Sequence, residues 1–123
     1  MAQLGELERT VMERVWAWAR PVSVRDVLEE LAAERTIAYT TVMTIMERLA
    51  RKGLLRRQLD GKAYIYSAVL TREQHTAALM VEALANADDR SAALVHFVND
   101  MKPAEADAIR RALASAARKQ RRR

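Results

Sequence analysis

Cysteine is absent from this 123-residue chain, so disulfides, thiolate metal sites and thiol nucleophiles are excluded together. Glycine and proline are scarce, at three and two residues, and two Trp, three Tyr and one Phe are the whole aromatic set. That composition excludes an all-β domain full of tight turns and predicts a mostly helical chain with one main core. No run of about 18 apolar residues is present, which leaves no candidate membrane span. "MAQLGELERT" also lacks the apolar core of a signal peptide, so a cytoplasmic protein without membrane insertion is expected. Asp and Glu are plentiful, but none stands in a spacing with His or Gly that suggests a metal, nucleotide or nucleophile site. No catalytic residue, metal or cofactor is expected, and the chain does not read as an enzyme.

What is present is positive charge in two places. Residues 1–47 carry 5 basic and 8 acidic groups, and residues 71–117 carry 5 and 7. Residues 48–62 carry 6 basic groups against 1 acidic, and the terminal "RKQRRR" adds five more. Cations focused in this way on an otherwise slightly acidic chain form the electrostatic footprint of a polyanion binder. A run of Lys and Arg is by itself a weak signal, since it also describes a solvated face.

Apolar spacing organises the rest. Leu7, Val11, Val15 and Trp18 recur at helical spacing and Pro21 closes that segment. Ser23 reads as the N-cap of a second helix through Val24, Val27, Leu28 and Leu31, ending near Arg35. A third helix from Tyr39 to Lys52 has Val42, Ile45, Met46 and Leu49 as its stripe and Gly53 as its stop. "LLRRQL" and "KAYIYS" flank Asp60-Gly61, a dipeptide suited to a hairpin turn, giving a basic two-stranded wing. Thr71 with Gln74 resembles a capping box opening a fourth helix through Leu79 and Leu84, which "NADDR" breaks. A short helix over Ser91 to Val98 follows, and Pro103 opens a last one carrying Ala106, Ile109, Leu113 and Ala117 on one face. Trp16 and Trp18 read as packing or an exposed anchor, and the widely separated His75 and His96 read as structural.

Three helices and a hairpin in this order describe a winged helix-turn-helix, here followed by a helical region. The expected fold is mainly α with a small β-hairpin. Its expected domains are a DNA-binding winged helix over 1–70, a helical dimerisation region over 71–118, and a disordered basic tail over 119–123. The tail has two readings, as a contact to DNA phosphates or as a solubilising segment.

In this fold the third helix enters the major groove. The face opposite its apolar stripe carries Thr40, Thr41, Thr44, Glu47, Arg48 and Arg51, with Tyr39 at its start. Short hydroxyls permit close approach to base edges, and a threonine methyl packs against a thymine methyl. Arg48 suits a guanine or a phosphate. Arg56, Arg57 and Lys62 on the wing are candidate phosphate clamps, and Ser23 completes the candidate DNA-binding set. The later apolar stripes, with Leu79, Leu84, Leu94, Phe97, Ile109 and Leu113, have nothing left in a small winged helix to cover, so they predict a homodimer.

The segments "LGELERTVMERVW", "AYTTVMTIMERLARKGLL", "KAYIYSAV" and "LVHFVND" together resemble the BlaI/MecI group of bacterial repressors, over nearly the whole chain. The resemblance implies a homodimer that binds an inverted-repeat, double-stranded operator with TACA-like half-sites and blocks transcription of β-lactam or cell-envelope stress genes. It further implies release by a membrane sensor metalloprotease pathway that cuts within the dimerisation region. In cleaved members the cut lies between Asn and Phe, and the matching pair here is His96-Phe97, which departs at its first residue. Phe97 beside Val95 and Val98 also reads as an ordinary core residue. The copper-responsive branch of the group has a cysteine-rich metal site, which this chain lacks. Two alternatives stand beside a dimeric repressor: release by a small-molecule ligand, and an architectural or protein-interaction module built on the same fold.

Overall fold

The structure, a computed structural model, describes residues 4–122. Residues 1–3, part of the leader reading, and Arg123, the end of the tail reading, lie outside the described residues. The element order is α1 (Glu6–Trp18), β1 (Val22–Ser23), α2 (Val24–Ala32), α3 (Tyr39–Arg51), β2 (Leu55–Asp60), β3 (Ala63–Ala68), α4 (Arg72–Ala85), α5 (Arg90–Asn99) and α6 (Pro103–Arg121). This is a mainly helical winged helix-turn-helix followed by further helices.

Helix ends follow local chemistry. Helix α1 stops three residues before Pro21, because Ala19 turns left-handed at φ 51° and donates its N–H to the Val15 carbonyl at 3.1 Å. Ser23 accepts from the Asp26 N–H at 3.0 Å while the Asp26 carboxylate accepts from the Ser23 N–H at 3.0 Å, a reciprocal cap on α2. Helix α2 ends at Ala32, short of the expected Arg35; the N–H groups of Glu34 and Arg35 both return to the Leu31 carbonyl, which turns the chain. Gly53, at φ 81°, ends α3 as expected. Thr71 and Gln74 exchange bonds of 2.9 and 3.0 Å at the start of α4, and Asp89 caps α5 by accepting from the Ala92 N–H at 3.0 Å.

The sheet corrects the two-stranded expectation. It has three antiparallel strands in the order β1-β3-β2, with Val22 opposite Tyr66 and Ser23 opposite Ile65. A two-residue strand is too short to display an alternation, so β1 reads as linker in the sequence. The hairpin turn is also displaced by one residue. Asp60 pairs with Ala63, leaving Gly61 and Lys62 as the loop. Gly61 takes φ 66° and Lys62 stays at negative φ, the pattern of a type II′ turn.

The chain divides into two units, Met1–Met80 and Val81–Arg123. The sequence reading put its boundary earlier, where composition changes at 70/71. In the first unit one core gathers Val11, Met12 and Val15 of α1, Val27 and Leu31 of α2, and Val42, Ile45, Met46 and Leu49 of α3, closed by Leu54, Leu55 and Tyr66 from the sheet. Each such side chain contributes roughly 1.5–3 kcal/mol by leaving water. Trp16 packs against this core, donates its indole N–H to the Leu70 carbonyl at 3.0 Å and lies 5.4 Å from the ring of the buried His75. In the second unit α5 and α6 bury no residue. Helix α6 continues through Arg118, Lys119 and Arg121, past residue 119 where the sequence reading began its tail. Among the described residues no helix is long and apolar enough to cross a membrane.

Candidate nucleic-acid interface

Helix α3 turns Val42, Ile45, Met46 and Leu49 into the core and leaves Thr40, Thr41, Thr44, Arg48 and Arg51 exposed. Thr40, Thr41, Thr44 and Arg48 line one shallow depression of about 510 Å³, whose other wall is the start of α1 at Gly5, Glu6 and Leu7. Tyr39, 44% exposed, stands at the helix start.

Two features here escape the sequence pattern. The N-cap position of α3 is Ala38, which supplies no side-chain acceptor; the Thr41 N–H returns to the Ala38 carbonyl at 3.1 Å, but no side chain caps the Tyr39 and Thr40 N–H groups where α2, α4 and α5 have side-chain caps. Unfilled N–H groups at a helix start favour a phosphate oxygen. The Thr44 hydroxyl donates to the Thr40 carbonyl at 2.9 Å, which spends its proton inside the helix and presents outward an acceptor and a methyl group.

The focused charge of residues 48–62 is partly consumed within the fold. Lys52 Nζ donates to both Glu8 carboxylate oxygens at 2.9 Å, and Glu8 also accepts from the Gly5 N–H at 2.9 Å. The bond from Lys52, then that from Gly5, holds the Glu8 carboxyl below its ordinary pKa against the opposing effect of burial. Arg48 and Arg51, in contrast, have no ion-pair partner among the described residues.

On the wing, strand register separates the two arginines. Leu55, Arg57 and Leu59 stand opposite Ala68, Tyr66 and Tyr64 on the face that reaches the core, whereas Arg56 stands opposite Ser67 on the other face. Arg57 lies over the Tyr64 ring, 4.1 Å from its centroid, and beside the Tyr66 phenol, whose pKa burial raises. Arg56 and Lys62 are exposed. Ser23 is half-buried, and its side-chain oxygen accepts in the α2 cap.

The remaining candidates belong to α4, α5 and α6. Leu79 and Leu84 are half-buried, and Leu94, Phe97, Ile109 and Leu113 are exposed. Phe97, at 46% exposure, is therefore no core residue within its own chain. His96 beside it is exposed on α5. A second depression, of about 540 Å³, is lined by Trp16, Arg20, Leu70, Arg72 and neighbours. Its two cations are already matched, Arg20 by Asp26 at 3.6 Å and Arg72 by Glu13, so nothing there singles out a ligand.

Residues 4–115 match the family described as penicillinase repressor. The chain is 50% identical over 117 residues to the transcriptional regulator BlaI of Mycobacterium tuberculosis, covering 93% of this chain and 85% of that protein. A penicillinase repressor of Bacillus licheniformis is 28% identical over 65 residues, 53% of this chain and 50% of that one. Among solved structures, the solution structure of the DNA-binding domain of the repressor BlaI is similar at a TM-score of 0.52 and 26% identity, covering 57% of this chain and 84% of that chain.

Proposed function

Because this chain belongs to the penicillinase repressor family, whose members are transcriptional regulators and not enzymes, we propose that it is a dimeric repressor that holds an inverted-repeat DNA operator through α3 and its wing. The observation that carries this reading is the polar outer face of α3, with three threonines and two exposed arginines opposite a fully apolar inner face. Threonines at the helix start bring the backbone close to base edges. The uncapped start of α3, Arg51 and the exposed wing cations then hold phosphates and fix the register.

In this reading the winged helix over 1–70 binds DNA, and the helical region over 71–118 joins two copies through Leu94, Phe97, Ile109, Leu113 and their neighbours. Apolar side chains that their own chain leaves this exposed are best covered by the same surface of a second copy. Two half-sites held by one dimer gain affinity through effective concentration. Release then requires separating the halves, and a cut at His96-Phe97 in α5 by a sensor metalloprotease pathway accomplishes it. A helix that buries none of its own residues opens locally at small cost, which lets a protease take its backbone in extended form. Genes answering β-lactams or envelope stress are the targets this reading assigns.

Selection of bound sites from a random duplex pool at physiological salt tests the reading. Enrichment of an inverted repeat with half-sites about one helical turn apart is expected. A flat pool would sink it and favour an architectural module that holds DNA only by its phosphates.

A further inference from the structure

We propose that Lys52, although it sits in the most basic stretch of the chain, is not a DNA ligand, and that with Glu8 it forms a lock that positions the base-reading face of α3. The inference rests on α3 being the recognition helix. It concerns what orients that helix, which neither the family nor any relative's name assigns.

Glu8 is the third residue of α1 and is 9% exposed. Both of its oxygens are engaged: Lys52 Nζ reaches both at 2.9 Å and the Gly5 N–H reaches Oε1 at 2.9 Å. Three points of the chain therefore converge on one carboxylate, namely the entry to α1, its first turn and the C-cap of α3. The convergence is tight. A Cβ placed on Gly5 would stand 3.3 Å from Glu8 Oε1, closer than an unstrained contact, so a glycine at this position leaves the carboxylate its place.

The lock lies directly behind the proposed interface. Gly5 and Glu8 line the same depression as Thr40, Thr41, Thr44 and Arg48, and Arg48 contributes to the field that keeps Glu8 ionised. Apolar packing of α3 fixes its depth but leaves rotation about its axis weakly determined, because Leu, Ile and Met side chains accommodate small shifts. A charge-assisted bond at the C-terminal end of the helix resists such a rotation. Base readout needs that resistance, since a hydroxyl or guanidinium displaced by an ångström loses its hydrogen bond. A lysine that holds a buried carboxylate through two of its N–H groups has its charge matched inside the fold, so the DNA-facing charge of the stretch is carried by Arg48, Arg51 and the wing.

The test uses the full chain and the duplex enriched from the random pool, with a random duplex alongside, titrated across salt. For Lys52→Met and for Glu8→Leu, affinity for the enriched duplex should fall by about tenfold, the scale of one mis-set base contact, with affinity for random duplex unchanged. The salt slope for Lys52→Met should equal that of the wild type. Lys52→Arg keeps a donor fork on Glu8 and should stay within about twofold of the wild type. Thermal unfolding of each variant separates mispositioning from loss of fold, and Lys52→Arg keeps the test decisive if the other two unfold. A slope reduced by about one for Lys52→Met, with equal losses on both duplexes, would make Lys52 a phosphate ligand and overturn the proposal. So would an unchanged affinity for the enriched duplex, or a Lys52→Arg protein as impaired as Lys52→Met. If the wild type itself does not distinguish the two duplexes, the recognition-helix reading fails first, and that result appears before any variant is made.

Discussion

The two units of this chain solve the same problem differently. In Met1–Met80 the apolar stripes of α1, α2 and α3 meet one another, and Val11, Leu31, Val42 and Leu49 are wholly out of water. In Val81–Arg123 the stripes meet nothing of comparable extent, and Val95, Phe97, Val98 and Leu113 stay about half exposed or more. A closed core frees the outer surface for recognition, so α3 can devote its outer face to threonines and arginines. An open one offers a surface to a partner, since large exposed apolar patches mark interaction surfaces. In the proposed dimeric repressor, specificity belongs to the first unit and avidity to the second.

The sharpest way to break this comparison is to damage each unit separately. Phe97→Asp should dissociate the proposed dimer and lower operator affinity by 10²-fold or more, on the order of the avidity a second site adds, with the winged helix still folded. Leu49→Ala should do the reverse, lowering stability by about 2–5 kcal/mol through a cavity in the closed core while the dimer persists in whatever fraction stays folded. Sedimentation and thermal unfolding of both variants, read beside DNA titration, check the pair. A Phe97→Asp protein that remains a dimer with unchanged affinity would remove Phe97 from the interface.

How far this division could be read from the sequence depended on how each feature announces itself. The α3 stripe, the Ser23 cap, Gly53 and the Thr71–Gln74 box are local patterns, and each stands in the structure as read. Strand β1 was invisible because two residues show no period, and the wing turn shifted by one because Asp60 could be placed in the loop or in the ladder equally well. The fate of the charges was hidden for a different reason. Glu8 and Lys52 are 44 residues apart, and no local pattern pairs them. Phe97 read as core from its apolar neighbours, but burial depends on what covers a helix, which a single chain's sequence does not state.

A smaller effect sharpens the account of the wing. If Arg56 and Arg57 both held phosphate, replacing both with Ala would lower the salt slope by about two. Their side chains leave opposite faces of the hairpin, so a duplex lying along one face meets only one of them. The double variant should therefore lose about one unit of slope, and the single variants should divide unequally, one near zero. Equal losses from both would show the wing twisted or inserted so that DNA reaches each face.

The smallest expected effect is an acid response confined to the closed unit. Glu8 is held below its ordinary pKa chiefly by the bond from Lys52, and Asp26 chiefly by the Ser23 backbone N–H. Each carboxyl therefore binds its proton less readily folded than unfolded, so on acidification the unfolded chain takes up protons first. The stability these groups contribute is complete above the unfolded carboxylate range. It declines as pH falls through that range, and it is gone below the lowered folded values. Asp26 is the more exposed of the two and its share is screened accordingly. Glu8→Gln removes one titration while keeping an acceptor for Gly5. Its midpoint temperature should lie below the wild type at neutral pH, by on the order of a few degrees, and the two curves should converge as pH drops through the carboxylate range. Curves that stay parallel to low pH would mean the Glu8 charge contributes nothing to the fold, and α3 would owe its orientation to apolar packing alone.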